Sequence, residues 1–206
     1  MRRRVVVTGM GAVTPLGLSA EESWKNSLEG RSGVRPIDFY DPTHLKTRIA
    51  GIVPPFELAA LVHPCAPVPD NNRRVRFALA ATEMALRDSG IDLDRLDPGR
   101  VGISFASNET HFYPDRYLPH FCAVYDGTGF DEGALARRIA ERELSEEMLF
   151  QEAQETVSLL SKQYGTQGPT TSCLTACAAG TQAIGEGLRM IRRGWADVCV
   201  GGGTDS

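Results

Sequence analysis

Hydrophobic and polar positions alternate between short apolar runs and longer stretches of helical spacing. Residues 4–8, Arg-Val-Val-Val-Thr, show no polar alternation, which predicts a first strand covered on both faces. Beyond the Gly9 to Gly17 turn, Ser19 and Glu22 have capping-box spacing, Trp24 and Leu28 fall four apart, and Gly30 can close a short helix. Prolines at 36, 42, 54, 55, 64, 67 and 69 predict irregular chain with one short strand near 48–53. Asn72 can cap a helix over 73–89, in which Val75, Ala78, Leu79, Thr82, Ala85 and Leu86 share one face and Gly90 supplies the stop.

The pattern then predicts a strand at 101–106 and an aromatic, histidine-bearing stretch at 107–129. One or two charged amphipathic helices follow over 131–163, so that 107–163 is read as an excursion from the sheet. A third core strand is expected at 169–175, a helix at 178–193 stopped by Gly194, and a fourth strand at 197–201. Strands alternating with helices indicate an α/β layered fold with a mostly parallel sheet. Residues 1–206 read as a single domain, and Gly201-Gly-Gly-Thr-Asp-Ser206 as a loop leaving a strand in mid-architecture.

Composition narrows the function classes. An apolar content of 42% with 23% charged residues is ordinary for a soluble globular chain. The net charge of −4 offers no broad basic face for nucleic acid. The apolar run after Arg2-Arg3-Arg4 is too short for a signal-peptide core or a membrane span, and no membrane partner is expected. Five cysteines (65, 122, 173, 177 and 199) form no CxxC pair and no disulfide framework, which points to a reducing cytoplasm.

Cys177 carries the most chemistry. It stands where a strand gives way to a helix, so unpaired backbone N–H groups and the positive end of the helix dipole would favour its thiolate. Ala176, Ala178, Ala179 and Gly180 are small enough for a sharp strand-to-helix turn, and the N–H groups there, that of Cys177 included, are candidate oxyanion-hole donors. The helix behind it is expected to present Gly180, Thr181, Ile184, Leu188 and Ile191 on one face, against the sheet or a second copy of the helix. Position alone leaves a second reading open, that of a small buried hydrophobe.

The turn Thr175-Ala176-Cys177-Ala-Ala-Gly180, with Ala183-Ile184-Gly185, Ile191-Arg-Arg-Gly194, Ala196-Asp197-Val198 and Gly201-Gly-Gly203, resembles the active-site region of β-ketoacyl-acyl-carrier-protein synthases. The run from Val5 to Gly17, Gly30-Arg-Ser-Gly33 with Ile49 to Val53, and Phe77 to Gly90 resemble earlier parts of the same family. The resemblance implies a thiolase-like fold of two α/β halves, each with a layered mixed sheet and flanking helices. This chain would match the first half without its last strand. It also implies that Cys177 accepts an acyl group as a thioester, which a malonyl-derived carbanion attacks in a decarboxylative Claisen condensation of fatty acid or polyketide biosynthesis. The phosphopantetheine of an acyl carrier protein would deliver both groups, with no bound cofactor, and the enzyme would be a homodimer or be completed by a complementing C-terminal half.

Two histidines complete the site in that family, both in the second half, and none of His44, His63, His111 and His120 stands in a matching motif. Ser107, Asn108, Glu109 and Thr110 fall where family members line the acyl pocket. The alternative is a non-catalytic or truncated ketosynthase-like partner subunit lacking the catalytic histidines; an intact cysteine argues against a decayed site. Other chemistries fit less well. His111, His120, Cys122 and Asp115 match no common metal spacing, and Gly9-Met-Gly11 lacks the third glycine of a dinucleotide loop. Cys173 and Cys199 are expected in the core. Arg192 and Arg193 are expected to compensate a helix dipole, on a surface that an acidic carrier protein could also meet.

Overall fold

The computed structural model describes residues 3–62, 68, 72–107, 114–140 and 154–205. At its centre is a parallel three-stranded sheet of β3 (Val101–Ser107), β4 (Thr170–Cys173) and β5 (Val198–Thr204), in the order β4-β3-β5. All seven residues of β3 are buried, as expected of a central strand covered on both faces. Helix α3 (Arg73–Ser89) and helix α6 (Gln154–Tyr164) share a core with β3, in which Val75, Leu79, Ile103, Phe105, Val157 and Leu160 meet. Helix α7 (Ala179–Arg192) also lies against β3 and β5.

Capping follows the sequence closely. Val75 N–H donates to Asn72 Oδ1 at 3.3 Å, and Gly90 ends α3 in the left-handed region at φ +64°. Ser19 Oγ accepts from Glu22 N–H at 3.0 Å at the start of α1 (Ala20–Leu28), while Glu22 reaches back to Leu18 N–H at 2.7 Å. The strand expected at 48–53 is β2 (Ile49–Gly51), paired antiparallel with β1 (Val34–Pro36). A single-turn helix, α2 (Leu58–Leu61), had no signal of its own in the proline-rich sequence. The aromatic stretch contains a helix that was not expected, α4 (Pro114–Cys122), the charged stretch contains α5 (Glu132–Ala140) and α6, and residues 141–153 lie outside the described part.

Three expectations are corrected. Residues 4–8 form no strand: Val6 is 66% and Val7 75% exposed, and among the described residues the segment joins no ladder. The turn that follows it, at Gly9 to Gly11, is seated closely on α3. A Cβ on Gly11 would come within 2.0 Å of the Ala81 carbonyl oxygen, and Met10 N–H donates to Asp88 at 2.8 Å. Trp24 and Leu28 likewise share a face of α1 that stays exposed.

The Gly201-Gly-Gly203 run is strand rather than loop. Gly202 lies opposite Phe105 in the β3 register, where a Cβ would stand 2.8 Å from the Phe105 ring, so the missing side chains let the strand pass where a bulkier one could not. The face of α7 that meets the sheet is not the expected one: Ala179, Ala183, Gly187 and Met190 are buried, while Ile184 is exposed, so of the two expected partners the sheet is not the one that the Ile184 face packs against. Small residues at four-residue spacing bring the helix close to the glycine strand, and a Cβ on Gly203 would stand 3.4 Å from Gly180 Cα.

Candidate active site

β4 ends at Cys173, and the chain turns through a single 3-10 turn, Ala176–Ala178, before α7 begins at Ala179. Cys177 lies in the middle of that turn and is exposed, so the strand-to-helix placement read from the sequence holds, with the 3-10 turn inserted between the two elements. Ala176, immediately before it, has φ +49° and is the non-glycine residue found in the left-handed region among the described residues. An alanine there costs about 1–2 kcal/mol, and such strain gathers where a side chain must be aimed. No side chain caps the 3-10 turn or the first turn of α7, while Thr175 Oγ1 donates to Gln182 Oε1 at 2.7 Å across the junction.

Cys177 opens onto a cavity of about 630 Å³ at the C-terminal end of the sheet. Its wall includes Ala106 and Ser107 from the end of β3, Gly203 and Thr204 from the end of β5, and Leu174. A crevice beyond the carboxyl ends of parallel strands is where α/β folds place their ligands. Ser107 lines this cavity, whereas Asn108, Glu109 and Thr110 lie outside the described residues. Gly203 and Thr204 were missed because the glycine run read as a departing loop, although its position after an apolar strand was the signal that could have found them.

Behind this wall lies a buried polar layer. Glu155 on α6 accepts from Asn72 Nδ2 at 2.8 and 3.0 Å and pairs with Arg74 Nη2 at 3.4 Å, with both charged side chains under 5% exposed. Burial pushes the Glu155 carboxyl up, opposed by the Asn72 hydrogen bonds and the Arg74 charge. Thr204 Oγ1 donates to the Arg74 carbonyl oxygen at 2.7 Å, and Thr156 Oγ1 donates to Ser107 Oγ at 3.3 Å.

The other cysteines are placed differently. Cys173 is buried with Ala106, Ala179 and Ala183, as expected. Cys199 is part-buried between β5 and α7, its sulfur 2.9 Å from where a Cβ on Gly187 would be, and burial pushes its thiol up to about 11. Cys122 is exposed, and Cys65, His63 and His111 lie outside the described residues. His44 is exposed, and His120 is half-buried at the end of α4. Among the described residues no three His, Cys, Asp or Glu side chains gather to hold a metal ion, and no helix is long and apolar enough to cross a membrane. At the far end of α7, Arg193 stacks on the Trp195 ring at 4.8 Å.

The family model for the beta-ketoacyl synthase N-terminal domain matches residues 2–206. The chain belongs to the beta-ketoacyl synthase family. It is 31% identical to 3-oxoacyl-(acyl-carrier-protein) synthase 2 of Coxiella burnetii, over 99% of this chain and 46% of that protein. Among solved structures, the ishigamide ketosynthase/chain length factor superposes with a TM-score of 0.72 at 31% identity, over 98% of this chain and 47% of that one. A type II PKS acyl-carrier protein in complex with its ketosynthase bound to the hexaketide matches with a TM-score of 0.68 at 25% identity, over 98% of this chain and 45% of that one. The fold is thiolase-like, and the chain spans about half the length of the curated relatives it matches.

Proposed function

We propose that this chain supplies the nucleophile-bearing half of a β-ketoacyl-acyl-carrier-protein synthase, with Cys177 as the acyl acceptor. The observation that carries this reading is an exposed cysteine, aimed by a strained residue at a strand-to-helix turn, opening onto a cavity at the carboxyl end of a parallel sheet. The Cys177 thiolate attacks the carbonyl of an acyl thioester, and an S–C bond forms as the carrier thiolate leaves and takes up a proton. Decarboxylation of a malonyl thioester then yields a carbanion equivalent that attacks the acyl-cysteine carbonyl. A C–C bond forms, the Cys177 thiolate departs, and the product is a β-ketoacyl thioester with one carbon dioxide released. The Cys177 N–H is the proposed oxyanion donor in both tetrahedral steps.

Acyl carrier protein is the proposed source of both thioesters, and the relative solved with its acyl-carrier protein supports that choice. The decarboxylating groups are assigned to the half beyond this span, which also completes the assembly as a dimer or a complemented pair. The intact Cys177 favours a condensing role over that of a non-catalytic partner subunit. In a condensation assay with the full-length protein, acyl-carrier-bound acyl and malonyl groups, and mass detection of the product, wild type is expected to form the β-ketoacyl thioester. Cys177→Ala is expected to lower that rate by at least about a thousandfold. Equal product from both proteins would reject the reading.

A further inference from the structure

The cavity beside Cys177 is tied to a buried charge that does not touch it. Ser107 and Thr204 are register partners at the ends of β3 and β5, and both line the cavity. Each hydroxyl is engaged from behind, Ser107 by Thr156 on α6 and Thr204 by the Arg74 carbonyl on α3. Arg74 pairs with the buried Glu155 carboxylate, and Thr156 is the residue that follows Glu155 on α6. That carboxylate holds Arg74 by charge and holds Asn72, the residue that caps α3, by two hydrogen bonds. The first turn of α3 is therefore held by the same carboxylate that begins α6, and the cavity end of β5, paired with β3 up to Ser107 and Thr204, is also tied to that turn by the Thr204 hydroxyl. A buried pair of this kind contributes little net stability, but removing one partner is costly because the other charge is left buried and unpaired.

We propose that Thr204 is a positioning residue that sets the width of the cavity beside Cys177, with the Asn72, Arg74 and Glu155 node as its anchor. This deepens the acyl-transfer reading, on which it rests for the meaning of the cavity as an acyl compartment. Thr204→Val keeps the shape of the side chain and removes this tie, so the end of β5 is held less firmly against α3 and longer chains gain entry. Thr204→Ser keeps the hydroxyl and the narrow cavity.

The test compares site-resolved alkylation of Cys177 by N-octylmaleimide and N-ethylmaleimide in the full-length protein, with peptide mass spectrometry separating the cysteines. Taking the ratio of the two rates cancels the thiol's intrinsic reactivity, so the readout does not depend on acyl transfer. Thr204→Val is expected to raise the octyl-to-ethyl ratio about fivefold, on the order of one net hydrogen bond, while Thr204→Ser leaves it at the wild-type value. Glu155→Gln is expected to shift the ratio in the same direction, with no further gain in the double variant, since both act through one anchor. An unchanged ratio in Thr204→Val, an equal rise in Thr204→Ser, or multiplying effects of Thr204→Val and Glu155→Gln would overturn the proposal. If Glu155→Gln does not fold, the two Thr204 variants decide. A failed condensation assay with a shifted ratio would remove the enzymatic reading and leave the positioning role standing.

Discussion

Two glycine-bearing apolar regions of this chain have opposite fates. In the α7 and β5 region, small residues bring a helix and a strand together, and Ala179, Ala183 and Gly187 are buried against the Gly201-Gly-Gly203 strand. In the N-terminal region, Gly9 and Gly11 sit equally tightly on α3, yet Val6, Val7 and Met10 are exposed, as are Trp24 and Leu28 on α1. Apolar content alone thus does not decide which surface is covered. The glycines show which backbone approaches are already made.

The difference can be tested most severely by core truncation. Leu79→Ala removes a side chain with 0% exposure from the shared core of α3, α6 and β3 and is expected to cost about 2–5 kcal/mol in denaturant unfolding. Val7→Ala, at 75% exposure, is expected to stay within about 0.5 kcal/mol. Equal losses would mean that the N-terminal segment is seated as firmly as the core.

Within the α7 and β5 region the contrast is chemical. With its thiol pushed up to about 11 by burial, Cys199 is expected to react with iodoacetamide at pH 8 about a hundredfold more slowly than the exposed Cys177, as read by peptide mass spectrometry. Comparable rates would show that the helix does not seal the strand.

Gly202→Ala places a Cβ 2.8 Å from the Phe105 ring and is expected to lower stability by about 1–3 kcal/mol. Phe105→Leu in the same protein should recover part of that loss if the ring contact is its cause. Gly30→Ala is a control for positive φ without crowding, since nothing lies within 4 Å of its Cβ position.

The smallest effect belongs to the ion pair below the sheet. Asp197 is held below the usual carboxylate range first by the hydrogen bonds from Arg100, with Arg3 adding to them. A depressed folded value means that its stabilisation is present above the unfolded value and is lost as pH falls through the folded one. Asp197→Asn should therefore flatten the acid limb of the stability curve slightly, an effect that added salt erases. A steeper acid limb in the variant would contradict this assignment.

Much of this was legible in the sequence because capping and turn chemistry act locally. Asn72, Gly90 and Ser19 bound their helices as their residue types require, and the Cys177 turn falls where the strand pattern ends. The errors share a cause. The Val5 to Thr8 run has the composition of a buried strand, but ladder pairing depends on a distant edge that no local pattern encodes. Gly201 to Gly203 read as a loop because glycine signals freedom locally, whereas here Phe105 and Gly180 require its smallness. The Ile184 face of α7 was expected against the sheet or a second copy of the helix, while the close approach to the sheet uses the small residues Ala179, Ala183 and Gly187. The buried Glu155 node was invisible to the sequence because its members lie 81 and 83 residues apart.

The central claim, that Cys177 is an acyl-accepting nucleophile, is tested most directly by acylation of the full-length protein. The protein is incubated with an acyl-carrier-bound hexanoyl thioester in the absence of malonyl groups, then examined by intact-mass and peptide-mapping mass spectrometry. The account predicts one hydroxylamine-sensitive hexanoyl adduct per chain, located on Cys177 and absent from Cys177→Ala. An adduct on another residue, or none on a folded protein, would contradict it.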